Sequence, residues 1–158
     1  MSGTRERQMS HTYTYLATHI IFSTKDRLPT ITPDFKPKLW AYMNGIISNI
    51  GGKALAINGM ADHTHLLVLL PPTVATAEAL RALKANSSKW VHENYHEQSK
   101  FAWQNGYAAF SVSKSGIEEV VRYIENQKEH QRKFSYQDEL LALLHKHGIE
   151  YDPRYIWS

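Results

Sequence analysis

Residues 53–72 read "KALAINGMADHTHLLVLLPP". "KALAIN" forms a short strand, "GMAD" at 59–62 makes a turn, and "HTHLLVLL" at 63–70 runs back as a second strand, so the whole is a hairpin. Beyond His65 the second strand is apolar on both faces, the pattern of a strand with a neighbour on each side, and Pro71-Pro72 ends it. Two histidines, one residue apart, stand where this oily run begins. They are either polar filler at a strand end or two arms of one binding site.

Working outward, residues 12–24, "TYTYLATHIIFST", are rich in Thr, Tyr and Ile and read as a strand. Thr32-Pro33 has the form of a helix start, an N-cap followed by proline. Phe35, Leu39, Tyr42, Met43, Ile46, Ile47 and Ile50 then recur at helical spacing until Gly51-Gly52 stops them. Downstream, Thr76 caps a helix running to about residue 95, and residues 103–113 hold another strand. Ser115 with Glu118, and Ser135 with Asp138, read as capping boxes that open two further helices, the last ending at Gly148. The aromatic tail 149–158 is expected to pack back on the body. The order βαββαβ predicts an α+β, ferredoxin-like fold: a four-stranded antiparallel sheet with helices on one face plus C-terminal helices. Residues 1–10 read as a flexible polar arm and 11–158 as a single domain. That architecture hosts many activities, so function has to come from the site.

Composition narrows the chemistry. With no cysteine, disulfides, thiolate nucleophiles and thiolate-bound zinc are excluded. No apolar run approaches the ~18 residues of a membrane span. The polar start, with Arg5 and Arg7, lacks the apolar core of a secretory signal, so a cytoplasmic protein with no membrane partner is expected. A net charge of +3 permits an anionic partner.

Alternation along a strand puts His63 and His65 on one face, their Cβ atoms roughly 6–7 Å apart. Two imidazoles at that spacing can converge on one ion. A candidate completion lies in "EEVVRYIENQKEHQRK" at 118–133. Ile117, Val120, Val121 and Ile124 form its core stripe, and Tyr123 falls roughly 120° away from the centre of that stripe. Gln127 follows one turn on, at i+4, and His130 continues the ridge. A phenol can be a nucleophile toward phosphorus, and a Gln carbonyl oxygen suits Mg²⁺ or Mn²⁺. Taken alone, Tyr123 and Gln127 also fit a half-exposed helix edge with no chemistry.

Taken together, His63-Thr64-His65 and Tyr123-Ile124-Glu125-Asn126-Gln127 resemble the single-tyrosine HUH transposases of small bacterial insertion sequences, including the relatives associated with repetitive palindromic elements. The resemblance spans most of the chain: "HIIFSTKDR" is similar to the family's first strand and basic exit, "HTHLLVLLPP" to its metal strand, "LRALKANSSKW" to its second helix, and "WQNGYAAFSVSKSGIEEVVRYIENQKEHQRK" to its last strand and tyrosine helix. Thr64 departs from the hydrophobic residue usual there, but points away from the histidines. The resemblance implies a homodimer that binds single-stranded DNA, often through hairpins at element ends. It further implies Mg²⁺ or Mn²⁺ held by His63, His65 and Gln127, and attack by Tyr123 to leave a 5′-phosphotyrosine and a free 3′-hydroxyl. The tyrosine is placed in the same chain's site or in the partner's. Glu119 and His130, within helical reach of Tyr123, are candidate bases.

For DNA, Arg81, Lys84, Ser88 and His92 share one face of the second helix, and Lys25 and Arg27 follow the first strand. Such a basic, hydroxyl-bearing face suits phosphates, and equally a solvated helix. Tyr107 and Phe110 are candidates for base stacking or for the core. Alternative readings are a ferredoxin-like binding module without catalysis, an HUH replication initiator or relaxase-type nickase, and a phosphohydrolase that uses water. The binding module is disfavoured because no RNP1-like aromatic pattern is present. The nickase usually carries a third histidine ligand or additional domains.

Overall fold

The computed structural model describes residues 12–157; the arm expected over 1–10 lies outside them. Four strands, β1 (Ala17–Ser23), β2 (Lys53–Met60), β3 (His63–Leu69) and β4 (Ala108–Val112), form one sheet in the order β2-β3-β1-β4. Every neighbouring pair is antiparallel. This is the ferredoxin-like order, and β3 is central, as its two-sided apolar pattern predicts. The strands expected over residues 12–24 and 103–113 shrink to Ala17–Ser23 and Ala108–Val112, with Trp103 joined to Thr24 by an isolated bridge.

Helices α1 (Lys36–Asn49) and α2 (Thr76–Asn94) cover one face. Leu39, Met43, Ile46 and Ile47 of α1 and Leu80, Leu83 and Val91 of α2 pack there against Ile20, Phe22, Leu66 and Val68. Each such side chain, fully buried, stabilises the fold by about 1.5–3 kcal/mol. The other face is covered by α3 (Ile117–Glu125), α4 (Gln127–His130) and α5 (Tyr136–Lys146). Ile124 of α3 sits on Ala17 and Leu67 with Val120 and Val121, the stripe read from the sequence. Tyr136, Leu140 and Leu144 of α5 sit on Ile21 and Phe110, and Ile156 and Trp157 of the tail pack against that cluster.

Three helix starts differ from expectation. The Thr32 carbonyl accepts from the Phe35 and Lys36 N–H groups in a turn, and α1 begins only at Lys36. Thr76 is the first helical residue rather than the cap, which is Ala75. A 3-10 turn over Lys114–Gly116 precedes α3, so Ser115 caps nothing; its hydroxyl meets that of Ser113 at 3.1 Å. The Ser135–Asp138 capping box is present.

The single helix expected over 118–133 is broken at Asn126 (φ −97, ψ 26). The physical cause lies on β2: the Asn58 amide donates to the carbonyls of Ile124 (3.0 Å) and Glu125 (3.2 Å), which a continuous helix would use for its own ladder. Gly59 beside it lets β2 pair closely with the histidine strand. A Cβ there would collide with the His63 carbonyl oxygen and the Thr64 backbone.

Candidate active site

The alternation of β3 sends His63 and His65 to the face beneath α3, α4 and α5, while Thr64 points to the other. His19, on the neighbouring strand, shares the histidine face. All three imidazoles are buried. Each site histidine uses its outer nitrogen for a protein partner. His63 Nδ1 lies 2.8 Å from Asp62 Oδ1, and His65 Nδ1 lies 2.9 Å from His19 Nε2. Both Nε2 atoms therefore turn inward, the orientation that outer-shell partners impose on metal-binding histidines.

What they turn toward is Glu139, from the first turn of α5. Its Oε1 accepts from His65 Nε2 (3.0 Å) and Gln131 Nε2 (3.1 Å), and lies 3.5 Å from His63 Nε2. Its Oε2 accepts from the Tyr123 hydroxyl and from Gln127 Nε2 (3.2 Å), with His130 Nε2 at 3.6 Å. Gln127 Oε1 accepts from His63 Nε2 at 3.1 Å. The break at Asn126 does not separate the phenol from the carboxamide; both still reach the same carboxylate. The Tyr123 ring stands edge-on to His65 at 5.6 Å and to His19 at 6.1 Å. Tyr123, His63, His65 and Gln127 thus meet within one chain.

The electrostatics follow from burial against partners. Burial alone would suppress the His63 charge, but hydrogen bonds and negative charge from Asp62 and Glu139 outweigh it and hold its pKa up, at about 9. His65 is lowered, burial dominating over Glu139. His19 is lowered to about 3 by burial and by the positive charge of His65. Burial would raise Glu139, yet bonds from His63, His65 and Tyr123 hold it well below the usual carboxylate range. Tyr123 is pushed up, by burial first and then by the charge of Glu139, so its phenol is firmly protonated.

The donor set fits a divalent cation. Ligand atoms of His63, His65 and Glu139 all lie within 4.8 Å of one another, and Gln127 adds an amide oxygen. Imidazole nitrogen with hard oxygen suits Mn²⁺ and Mg²⁺. Sequence reading missed Glu139, taking 135–138 only as the cap of the last helix. One signal was available: Tyr136, Glu139, Leu140 and Leu144 share one helical stripe, so a carboxylate stands in an apolar row.

The expected DNA-facing residues are divided. Lys25 and Arg27 lie just beyond Ser23, the residue paired with His63, at the same end of the sheet. Arg27 is half-buried with its guanidinium 5.6 Å from the Trp157 ring. Arg81, Lys84, Ser88 and His92 ride on α2, over the opposite face. Two of them spend their polar atoms inward. Lys84 donates to the carbonyls of Gln104 (3.0 Å) and Gly106 (2.6 Å), and burial lowers its pKa to about 8; His92 Nε2 donates to the Phe101 carbonyl at 2.8 Å. Of the candidate bases, His130 stands 3.4 Å from the Tyr123 oxygen, whereas Glu119 is exposed. Phe110 is buried in the core, and Tyr107 is exposed beside Lys84.

A ferredoxin-like sheet carrying paired histidines beneath a tyrosine helix is the layout of a single-tyrosine HUH transposase. The sequence profile described as "Transposase IS200 like" matches residues 12–127, and the chain belongs to that family of DNA transposases. It is 25% identical over 128 residues to the ISDra2 transposase TnpA of Deinococcus radiodurans, covering 77% of this chain and 91% of that one. It is 23% identical to the transposase for insertion sequence element IS200 of Salmonella typhimurium, covering 78% and 84% respectively. The fold is similar to the solved structure of a REP-associated tyrosine transposase bound to a REP hairpin, with TM-score 0.57 and 13% identity over 80% of this chain and 74% of that one. Among the described residues no helix is long and apolar enough to cross a membrane.

Proposed function

We propose that this transposase cleaves and rejoins single-stranded DNA through a covalent tyrosine intermediate. The Tyr123 oxygen attacks the scissile phosphorus, an O–P bond forms, and the P–O3′ bond breaks. The products are a 5′-phosphotyrosine and a 3′-hydroxyl; attack by a 3′-hydroxyl on that phosphotyrosine reverses the step and rejoins the strand without ATP. The Tyr123 proton passes to Glu139 Oε2, which already accepts its hydrogen bond. Glu139 returns that proton to the leaving 3′-oxygen, so the step consumes and releases no net proton.

His63, His65 and Gln127, with Glu139 Oε1, are the residues that would hold Mg²⁺ or Mn²⁺. Such a cation supplies positive charge to the phosphoryl oxygens. Asp62 and His19 hold the imidazoles in orientation. Lys25 and Arg27 guide the strand to the His63 end of the sheet, and Arg81 and Ser88 of α2 touch more distant phosphates of a hairpin end. Because the phenol and the histidines meet within one chain, a homodimer would pair two DNA ends rather than complete each site.

The observation that carries this reading is the convergence of Tyr123, Gln127 and both histidines on one buried carboxylate. The test incubates the protein with a random-sequence pool of single-stranded DNA and Mn²⁺, then looks for an adduct that survives denaturation. Tyr123→Phe removes the adduct and leaves binding in place. An adduct that persists in that variant refutes the assignment, and equal reaction of duplex DNA refutes the single-strand preference.

A further inference from the structure

A cavity of about 530 Å³ opens at Tyr123; Glu139, His130 and His19 of the site line it too, together with the exposed carboxylates of Glu119 and Asp138. Phe110, Ser111 and Ser113 of the β4 edge line one side, Tyr123 another, and Lys146 of α5 a third. Phe134, between α4 and α5, also lines it and is 47% exposed. Its ring lies 5.1 Å from His130 at 30°, and His130 lies against Tyr123 at 4.8 Å. An aromatic wall therefore runs from solvent to the phenol. Phe110, opposite, is stacked on His147 at 4.3 Å, so that side is fixed.

We propose that this cavity receives one unpaired nucleobase, from a nucleotide adjoining the phosphate that Tyr123 attacks; the identity of that strand rests on the reading of Tyr123 as nucleophile. The volume lies within the roughly 300–1,000 Å³ of small-ligand pockets. It is large enough to admit one base with its sugar. An aromatic wall suits the π-face that every base carries. The exposed hydroxyls of Ser111 and Ser113 can donate to or accept from a base edge, and the exposed Lys146 ammonium suits the attached phosphate. Drawing a base out of its stack costs least when it is unpaired. The cavity thereby makes an unpaired strand a condition for reaching Tyr123.

The test titrates the isotope-labelled full chain with dAMP, dCMP, dGMP and dTMP and follows backbone amide shifts. At least one nucleotide should shift Ser111, Ser113 and Lys146. Phe134→Ala, at an exposed position, should weaken that nucleotide roughly tenfold or more, the scale of a lost base–aromatic stack. Ala142→Trp, which builds a ring into the cavity from an exposed site on α5, should block it. Shifts confined to other surfaces, or binding indifferent to both substitutions, overturn the proposal. Mononucleotide binding requires no attack by Tyr123. Nucleotide binding in a protein that forms no DNA adduct would therefore remove the strand-transfer reading and keep the cavity, whereas adducts without nucleotide binding would do the reverse.

Discussion

The two faces of the sheet come from the same strands and are equally dry, yet they do opposite things. Under α1 and α2, Ile20, Phe22, Leu66 and Val68 are buried against helical Leu, Ile and Met. Under α3–α5, His19, His63, His65, Gln127 and Glu139 are buried as completely. A lone charge there would be expelled or neutralised. It persists because both carboxylate oxygens have partners: three imidazoles, two carboxamides and a phenol surround one carboxylate. One face is held mainly by apolar area; the other adds to its own apolar clusters a set of mutually satisfied polar groups. Only the second arrangement leaves groups able to exchange a proton or bind an ion.

The largest expected effect falls on the polar face. His63→Ala should slow adduct formation by about three orders of magnitude or more, since metal-borne charge stabilisation is worth several kcal/mol. The folded fraction should stay high, as circular dichroism would show. Unchanged kinetics would erase the functional contrast between the faces. Next is the apolar face: Leu66→Ala should lower unfolding free energy by about 2–5 kcal/mol in a urea titration while adduct yield per folded molecule holds. If cleavage instead collapsed with folding intact, the division of labour would be wrong. A smaller effect belongs to the outer ring of the site. Asp62→Asn should weaken Mn²⁺ binding roughly 10–100-fold in a calorimetric or paramagnetic titration, because His63 loses the carboxylate that orients it.

A separate effect, read on stability alone, is on pH. In the metal-free protein His19 is lowered from 6.5 to about 3. Its unfolded form binds more protons across that window, so stability is full above 6.5 and falls as pH drops through it. His63 is raised from 6.5 to about 9, so its contribution is full below 6.5 and lost as pH rises toward 9. Metal-free melting temperature should therefore peak near neutrality. Mn²⁺ should flatten the alkaline limb, because a cation replaces the proton on His63. An alkaline limb indifferent to metal would mean that the ion does not bind at His63.

Sequence by itself determined the strand order, the central place of β3 and the shared face of His63 and His65. The strand order follows from the βαββαβ succession of elements, and the other two from alternation and apolar runs, which are local properties of the chain. It also placed Tyr123 beside the core stripe and Gln127 one turn on. Tertiary structure alone decided the rest. The cut at Asn126 depends on an amide from β2, sixty-six residues away in sequence from Ile124. Glu139 becomes the hub only when α5 folds over the histidine face; its place in the apolar row of its helix marks it as inward-facing but does not say what it meets. Lys84 and His92 share an outward-looking helical face in the sequence, but carbonyls of the loop before β4 capture them. Periodicity reports which way a side chain leaves its own backbone. Which other segment meets it there is set by long-range packing, and that is where this site's charge and proton partners were chosen.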